Sequence, residues 1–138
     1  MMRIFRVIIM FILTVGSTAF AVNVEDSRPE TWFHIIGGNA SKAAEAIFAQ
    51  GAAGSHFGNA IDMAEMLAKA PAETLVMGNV DPVSVLAQGT PETIRAAVKS
   101  LVEKCESYPN FVLSSGCDIP ASTPWENIEA FFAVAKNQ

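Results

Sequence analysis

The sequence predicts an α/β fold built from four consecutive β-α units, and three observations lead there. Short apolar, β-branched runs alternate with amphipathic helical patterns from Thr31 to the end of the chain. Two of the runs break into polar, glycine-containing turns that lead to a proline, Gly78-Asn79-Val80-Asp81-Pro82 and Ser115-Gly116-Cys117-Asp118-Ile119-Pro120. No Pro/Gly/Ser-rich linker or low-complexity stretch interrupts the alternation. Such a pattern gives parallel strands joined by right-handed crossovers. Eight such units close a barrel of ~250 residues. The 138 residues have room for four, so the chain reads as half of a (β/α)8 barrel or as a small open sheet.

Taken in order, Thr31–Ile36 is β-branched and aromatic and stops at Gly37-Gly38-Asn39, which suits a buried strand and its exit turn. Residues Ala40–Gln50 form a helix with Ala43, Ala44, Ile47 and Phe48 on its apolar side, and Gly51 stands at the C-cap position. Gly54–Phe57 is a short second strand, turned by Gly58-Asn59 into a helix over Ile61–Lys69 that ends before Pro71. Thr74–Met77 is the third strand, Gly78–Pro82 its turn, and Val83–Leu86 a short helical turn. Thr90-Pro91-Glu92 combines a hydroxyl N-cap, a proline at the first helical position and an acid in the first turn. The helix it opens runs to about Glu106 with Ile94, Val98, Leu101, Val102 and Cys105 on one face. Phe111-Val112-Leu113 is the fourth strand. Thr123 and Glu126 have capping-box spacing ahead of a last helix carrying Ile128, Phe131, Phe132 and Val134.

Composition narrows the function. The chain is 51% hydrophobic and 17% charged, enough apolar content for a core. Its net charge is −5 and its nine basic residues are scattered, so the basic stripe that a phosphate backbone requires is missing. Nucleic acid is excluded as a partner on that ground. Cys105 and Cys117 form no C-x-x-C pair and lie in a helix and a turn respectively, which gives no disulfide framework.

The amino terminus reads separately from the domain. Arg3 and Arg6 precede an uncharged stretch that is strongly apolar to Val15, and Ala19-Phe20-Ala21 follows as an A-x-A pattern. Residues 1–22 therefore read as a signal-peptide-like or foreign apolar leader, and 29–138 as the domain. Removal of that leader takes two positive charges and moves the net charge from −5 to −7. The strongly apolar part is shorter than the ~20 residues of a spanning helix. A leader of this type points toward export or membrane association.

His34 before Gly38-Asn39, Gly78-Asn79-Val80-Asp81-Pro82, Gly89-Thr90-Pro91-Glu92, Ser115-Gly116-Cys117-Asp118-Ile119-Pro120 and Thr123-Pro124-Trp125-Glu126-Asn127 occur in this order. The ordered set resembles the carboxyl-terminal part of the uroporphyrinogen decarboxylase superfamily over roughly Pro29–Lys136. The resemblance implies the carboxyl-terminal half of a TIM (β/α)8 barrel and a cytoplasmic location. It also implies one of two chemistries: decarboxylation of uroporphyrinogen in porphyrin biosynthesis, or methyl transfer from a corrinoid to a thiol such as coenzyme M. The Gly116-Cys117-Asp118-Ile119-Pro120 turn is similar to the methyltransferase branch, where the decarboxylases usually show Gly-His-Gly.

That branch implies zinc, with His34 and Cys117 at ligand positions, and Ile36 where a first cysteine is expected. A thiol-activating zinc site needs about three protein ligands. The expected ligand is a tetrapyrrole or corrinoid, and the expected partner is a second copy or an amino-terminal half in trans. Without that half the chain is expected to be inactive, a fragment or a relic included.

The residues themselves also admit plainer roles. His34 is a metal ligand or a buried histidine bonded to a neighbouring carbonyl. Cys117 is a metal ligand or an ordinary thiol, since Asp118 has the wrong sign to lower its pKa. Asn79 and Asp81 bind substrate at a strand end, or Asp81 caps the helical turn that Pro82 opens and Asn79 serves the turn. His56 has no metal-spaced partner and reads as a core or surface histidine. Met63, Met66 and Met77 read as core filling.

Overall fold

The computed structural model describes residues 33–136. The leader expected over residues 1–22, and Thr31 and Trp32 of the first expected strand, lie outside the described residues. Four parallel strands form one sheet in the order β1 (Phe33–Ile36), β2 (Gly54–Phe57), β3 (Leu75–Val80) and β4 (Phe111–Ser115). The helices are α1 (Ala44–Phe48), α2 (Met63–Lys69), α3 (Pro91–Cys105) and α4 (Trp125–Lys136). Strand neighbours follow chain order, as successive β-α units require. Among the described residues no helix is long and apolar enough to cross a membrane.

Strand parity divides the sheet into two faces. His34, Ser55, Val76 and Phe111 are in register, and so are Ile36 with Phe57 and Gly78 with Leu113. Phe57, Val76, Val80 and Phe111 join Met63, Met66, Leu67, Ile94, Val98, Val102 and Phe131 in one buried cluster, with Ile36 and Leu113 against it. This is the helix-covered face. Side chains alternate along a strand, so Ile35, His56, Met77 and Val112 form a row on the other face, with Asn79 and Ser114 above them. Ile35 on that inner face is 68% exposed.

Several boundaries differ from the sequence reading. β3 continues through Gly78-Asn79-Val80, because these residues pair with Leu113, Ser114 and Ser115 of β4. Gly-Asn favours a turn locally, but the ladder hydrogen bonds outweigh that preference. Residues 41–43 form a 3-10 turn ahead of a short α1, with Ala43 N–H donating to Ala40 C=O and Ser41 N–H to the Asn39 side chain. The Thr123–Glu126 capping box does not form: the buried Thr123 hydroxyl makes no hydrogen bond. Thr90 caps α3 as expected, in a reciprocal box with Thr93.

Asparagine amides tie the connections together. Asn127, 2% exposed, donates from Nδ2 to the carbonyls of Leu86 and Gly89, both at 2.9 Å. Asn110 does the same for Pro71 (3.3 Å) and Thr74 (2.9 Å). A buried carbonyl left without a donor costs about 1–3 kcal/mol. Replacing Asn127 by Ala is therefore expected to lower unfolding stability by about 1–3 kcal/mol, read from urea midpoints. An unchanged midpoint would show that the two carbonyls are not relying on this side chain.

Candidate functional site at the carboxyl ends of the strands

All four strands run the same way, so their carboxyl ends and following loops gather at one end of the sheet, the position at which barrels of this kind carry function. The residues there are held by a connected set of side-chain hydrogen bonds. Asn79, in β3, donates through Nδ2 to the Gly58 carbonyl (3.0 Å) and the Ile61 carbonyl (2.6 Å). Asp81 accepts from the backbone N–H groups of Val83 (2.9 Å) and Ser84 (2.8 Å) through Oδ1. Its Oδ2 accepts from the Asn59 side-chain amide at 2.8 Å. Burial pushes the Asp81 carboxyl up, and the hydrogen bonds from Ser84, Val83 and Asn59 more than offset that, leaving it below the ordinary value.

Asp81 is thus the N-cap of a π-helical turn over Pro82–Ala87, in which Leu86 N–H donates to the Asp81 carbonyl and Gln88 N–H to the Val83 carbonyl. Both residues expected to face substrate, Asn79 and Asp81, have these groups committed to neighbouring loops. Asp62 plays the matching part for α2, accepting from Ala64 and Glu65 N–H. The Lys104 ammonium, 2.6 Å from Oδ2, is the main cause of its lowered pKa.

Two glycines permit this packing. A Cβ on Gly78, at φ +144°, would lie 2.7 Å from the Phe57 carbonyl oxygen, so β2 and β3 approach there only without a side chain. A Cβ on Gly116 would lie 2.6 Å from the Asn59 backbone nitrogen. The β4 turn and the β2 turn therefore touch through bare backbone.

His34 and Cys117 belong to the first and the last strand units of the described sheet. His34 lies in β1, in register with buried Ser55 and Val76 on the helix-covered face. Cys117 is a free, exposed thiol beyond β4, the opposite edge of the sheet. Among the described residues no group of three His, Cys, Asp or Glu side chains is placed to hold a metal ion. The donor set present does not fit a three-ligand zinc site. Cys105 is also free and is buried on α3, where burial pushes its thiol up to about 11; it is core.

The sequence reading gave His56 as a core or surface histidine. Its Nε2 lies 2.7 Å from the Ser115 carbonyl oxygen and 3.3 Å from the Ser114 hydroxyl, joining β2 to β4 across β3. The signal was its inner-face parity two residues before the Gly58-Asn59 turn. Ser115 in turn donates from Oγ to the Cys117 carbonyl at 2.7 Å, and Gly116 N–H donates to the Val80 carbonyl at 2.7 Å.

The model of the uroporphyrinogen decarboxylase (URO-D) family matches residues 15–138 of this chain. The chain belongs to the uroporphyrinogen decarboxylase family. The match begins inside the apolar leader, upstream of Pro29. A uroporphyrinogen decarboxylase from Synechococcus sp. (strain CC9605) is 44% identical over 77 residues, which are 56% of this chain and 21% of that protein. A methylcobamide:CoM methyltransferase from Methanosarcina mazei is 38% identical over 63 residues, 46% of this chain and 17% of that protein. A solved methyltransferase structure from Methanosarcina mazei superposes with a TM-score of 0.63 at 26% identity, covering 72% of this chain and 29% of the other. The four β-α units are therefore those of a family TIM-barrel fold, and the aligned region spans about a fifth of the first decarboxylase relative's length, 21%.

Both capping aspartates have lowered folded pKa values. Their contribution is complete above the unfolded Asp value of about 3.9 and is lost as pH falls through the lower folded values. Asp81→Ala is expected to cost about 0.5–2 kcal/mol at neutral pH, as loss of an N-cap does. The difference from the parent should shrink as the pH is taken into the acid range, measured by urea unfolding across pH. A difference that stays constant down to strongly acidic pH would contradict the cap.

Proposed function

We propose that this chain provides the carboxyl-terminal rim of a methyltransferase-like family barrel and is catalytically silent alone. The observation that carries the reading is the exposed Cys117 turn, anchored at the carboxyl ends of the strands while the neighbouring Asn79 and Asp81 serve as scaffold. Methyl transfer from a corrinoid to a thiol needs the thiol held as thiolate, and zinc supplies that in the chemistry the resemblance implies. Within the described chain Cys117 is the group available at the rim, and the remaining ligands must come from elsewhere. The solved methyltransferase neighbour and the Gly116-Cys117-Asp118 turn both support this branch.

The decarboxylase reading is favoured by a different observation, the 44% identity to the Synechococcus protein over 77 residues. In that reading the rim contacts a tetrapyrrole bearing carboxylates. Two assays separate the readings. The purified chain is incubated with methylcobalamin and coenzyme M, and separately with uroporphyrinogen. No methylated thiol and no less-carboxylated porphyrinogen are expected. Turnover of either substrate by the chain alone would overturn the proposal.

The groups that would complete the rim lie outside the described residues, and a second copy is one source of them. The outer rims of β1 (FHII) and β4 (FVLSS) are unpaired among the described residues and carry neither the charge nor the proline that protects edge strands. Light scattering is expected to give a mass above that of one chain. A compact monomer whose mass does not change with concentration would contradict self-association.

A further inference from the structure

His56 has its ring nitrogens in unlike surroundings. Ser115 offers a backbone carbonyl, which only accepts, so Nε2 at 2.7 Å must carry the proton. The Ser114 hydroxyl at 3.3 Å then takes a second, weaker share of the same N–H. Nδ1 makes no hydrogen bond with any described residue, and inner-face parity directs the ring away from the helices. The acceptor matters as much as the donor. Ser115 sits at the end of an edge strand, its own hydroxyl bridges to the Cys117 carbonyl, and the next amide is tied to Val80.

From this geometry we infer that His56 is a positioning residue for the Ser115-Gly116-Cys117 turn, acting as its Nε2–H tautomer. Held this way, it keeps Nδ1 as a fixed hydrogen-bond acceptor on the inner face for a ligand group bearing an O–H, N–H or S–H. The inference rests on the carboxyl-end rim being the functional end. It does not depend on which family chemistry the rim serves. The tie crosses β3, so the Cys117 turn is set by β2 as well as by its own strand. Asn59, whose backbone Gly116 touches, belongs to the same β2 loop, so the turn is held from β2 at two points.

The test uses the whole chain and no activity readout. Nitrogen–proton correlation spectra of the imidazoles in slightly alkaline buffer should show His56 protonated at Nε2 and bare at Nδ1. The opposite tautomer, or averaging of the two, would overturn the inference. Amide hydrogen exchange then compares His56→Ala with His56→Gln, whose side-chain N–H can replace the Nε2 donor. His56→Ala should speed exchange at Gly116 and Cys117 by about tenfold, the scale of one lost hydrogen bond, with α3 amides unaffected. His56→Gln should restore most of the protection. Unchanged exchange in His56→Ala, uniform acceleration through α3, or no rescue by Gln would each sink the idea. If His56→Ala fails to fold, the tautomer in the parent chain still decides.

Discussion

Backbone carbonyls stranded in the connections of a parallel sheet need donors, and in this protein asparagine amides supply them. Asn79 serves Gly58 and Ile61, Asn110 serves Pro71 and Thr74, and Asn127 serves Leu86 and Gly89. Each amide offers two N–H groups, and each uses them on two carbonyls of one neighbouring connection. The pattern follows from the fold. Parallel strands end in loops that cross from sheet to helix, and the loop carbonyls point away from any ladder. One side chain that reaches two of them fixes the loop against the next unit. Packing supplies most of the burial, but these ties set where each loop lies.

The consequence for function is a trade. At the carboxyl ends, the polar side chains that would be read as substrate contacts are also the nearest donors and acceptors for the loops. Asn79 and Asp81 are held there by the scaffold, and Asn59 by Asp81. On the proposed reading, recognition of a ligand falls to groups the scaffold leaves over, among them the Cys117 thiol and one nitrogen of His56. Close approaches bring Gly78 of β3 against Phe57 of β2, and the Gly116 turn against Asn59. The relatives of this chain include decarboxylases and methyltransferases.

Much of this was legible in the sequence, and the parts that were not have physical causes. The four strand positions and the four helices follow from hydrophobic periodicity, and the caps at Thr90 and Asp81 from side chains with one obvious local partner. What local reading could not supply is long-range pairing. Gly78-Asn79 looked like a turn until its register with Leu113 and Ser114 made it strand. Thr123 looked like a cap, yet its hydroxyl is buried unbonded while Asn127 reaches back to the π-helical turn. His56 carried no motif, because its partner lies in a strand 59 positions later. His34 had a motif, and strand parity placed it with Ser55 and Val76 on the covered face, a property that depends on register alone.

The claim on which this account turns is that Asn79, Asn110 and Asn127 have both side-chain protons engaged by loop carbonyls. Exchange of those three carboxamides with solvent, followed by nitrogen-resolved NMR, measures it directly. Slow exchange at all three, relative to a free asparagine amide, is the predicted result. Exchange as fast as that of an unstructured asparagine would mean that the loops are set by something else and that the rim described above is not the one in solution.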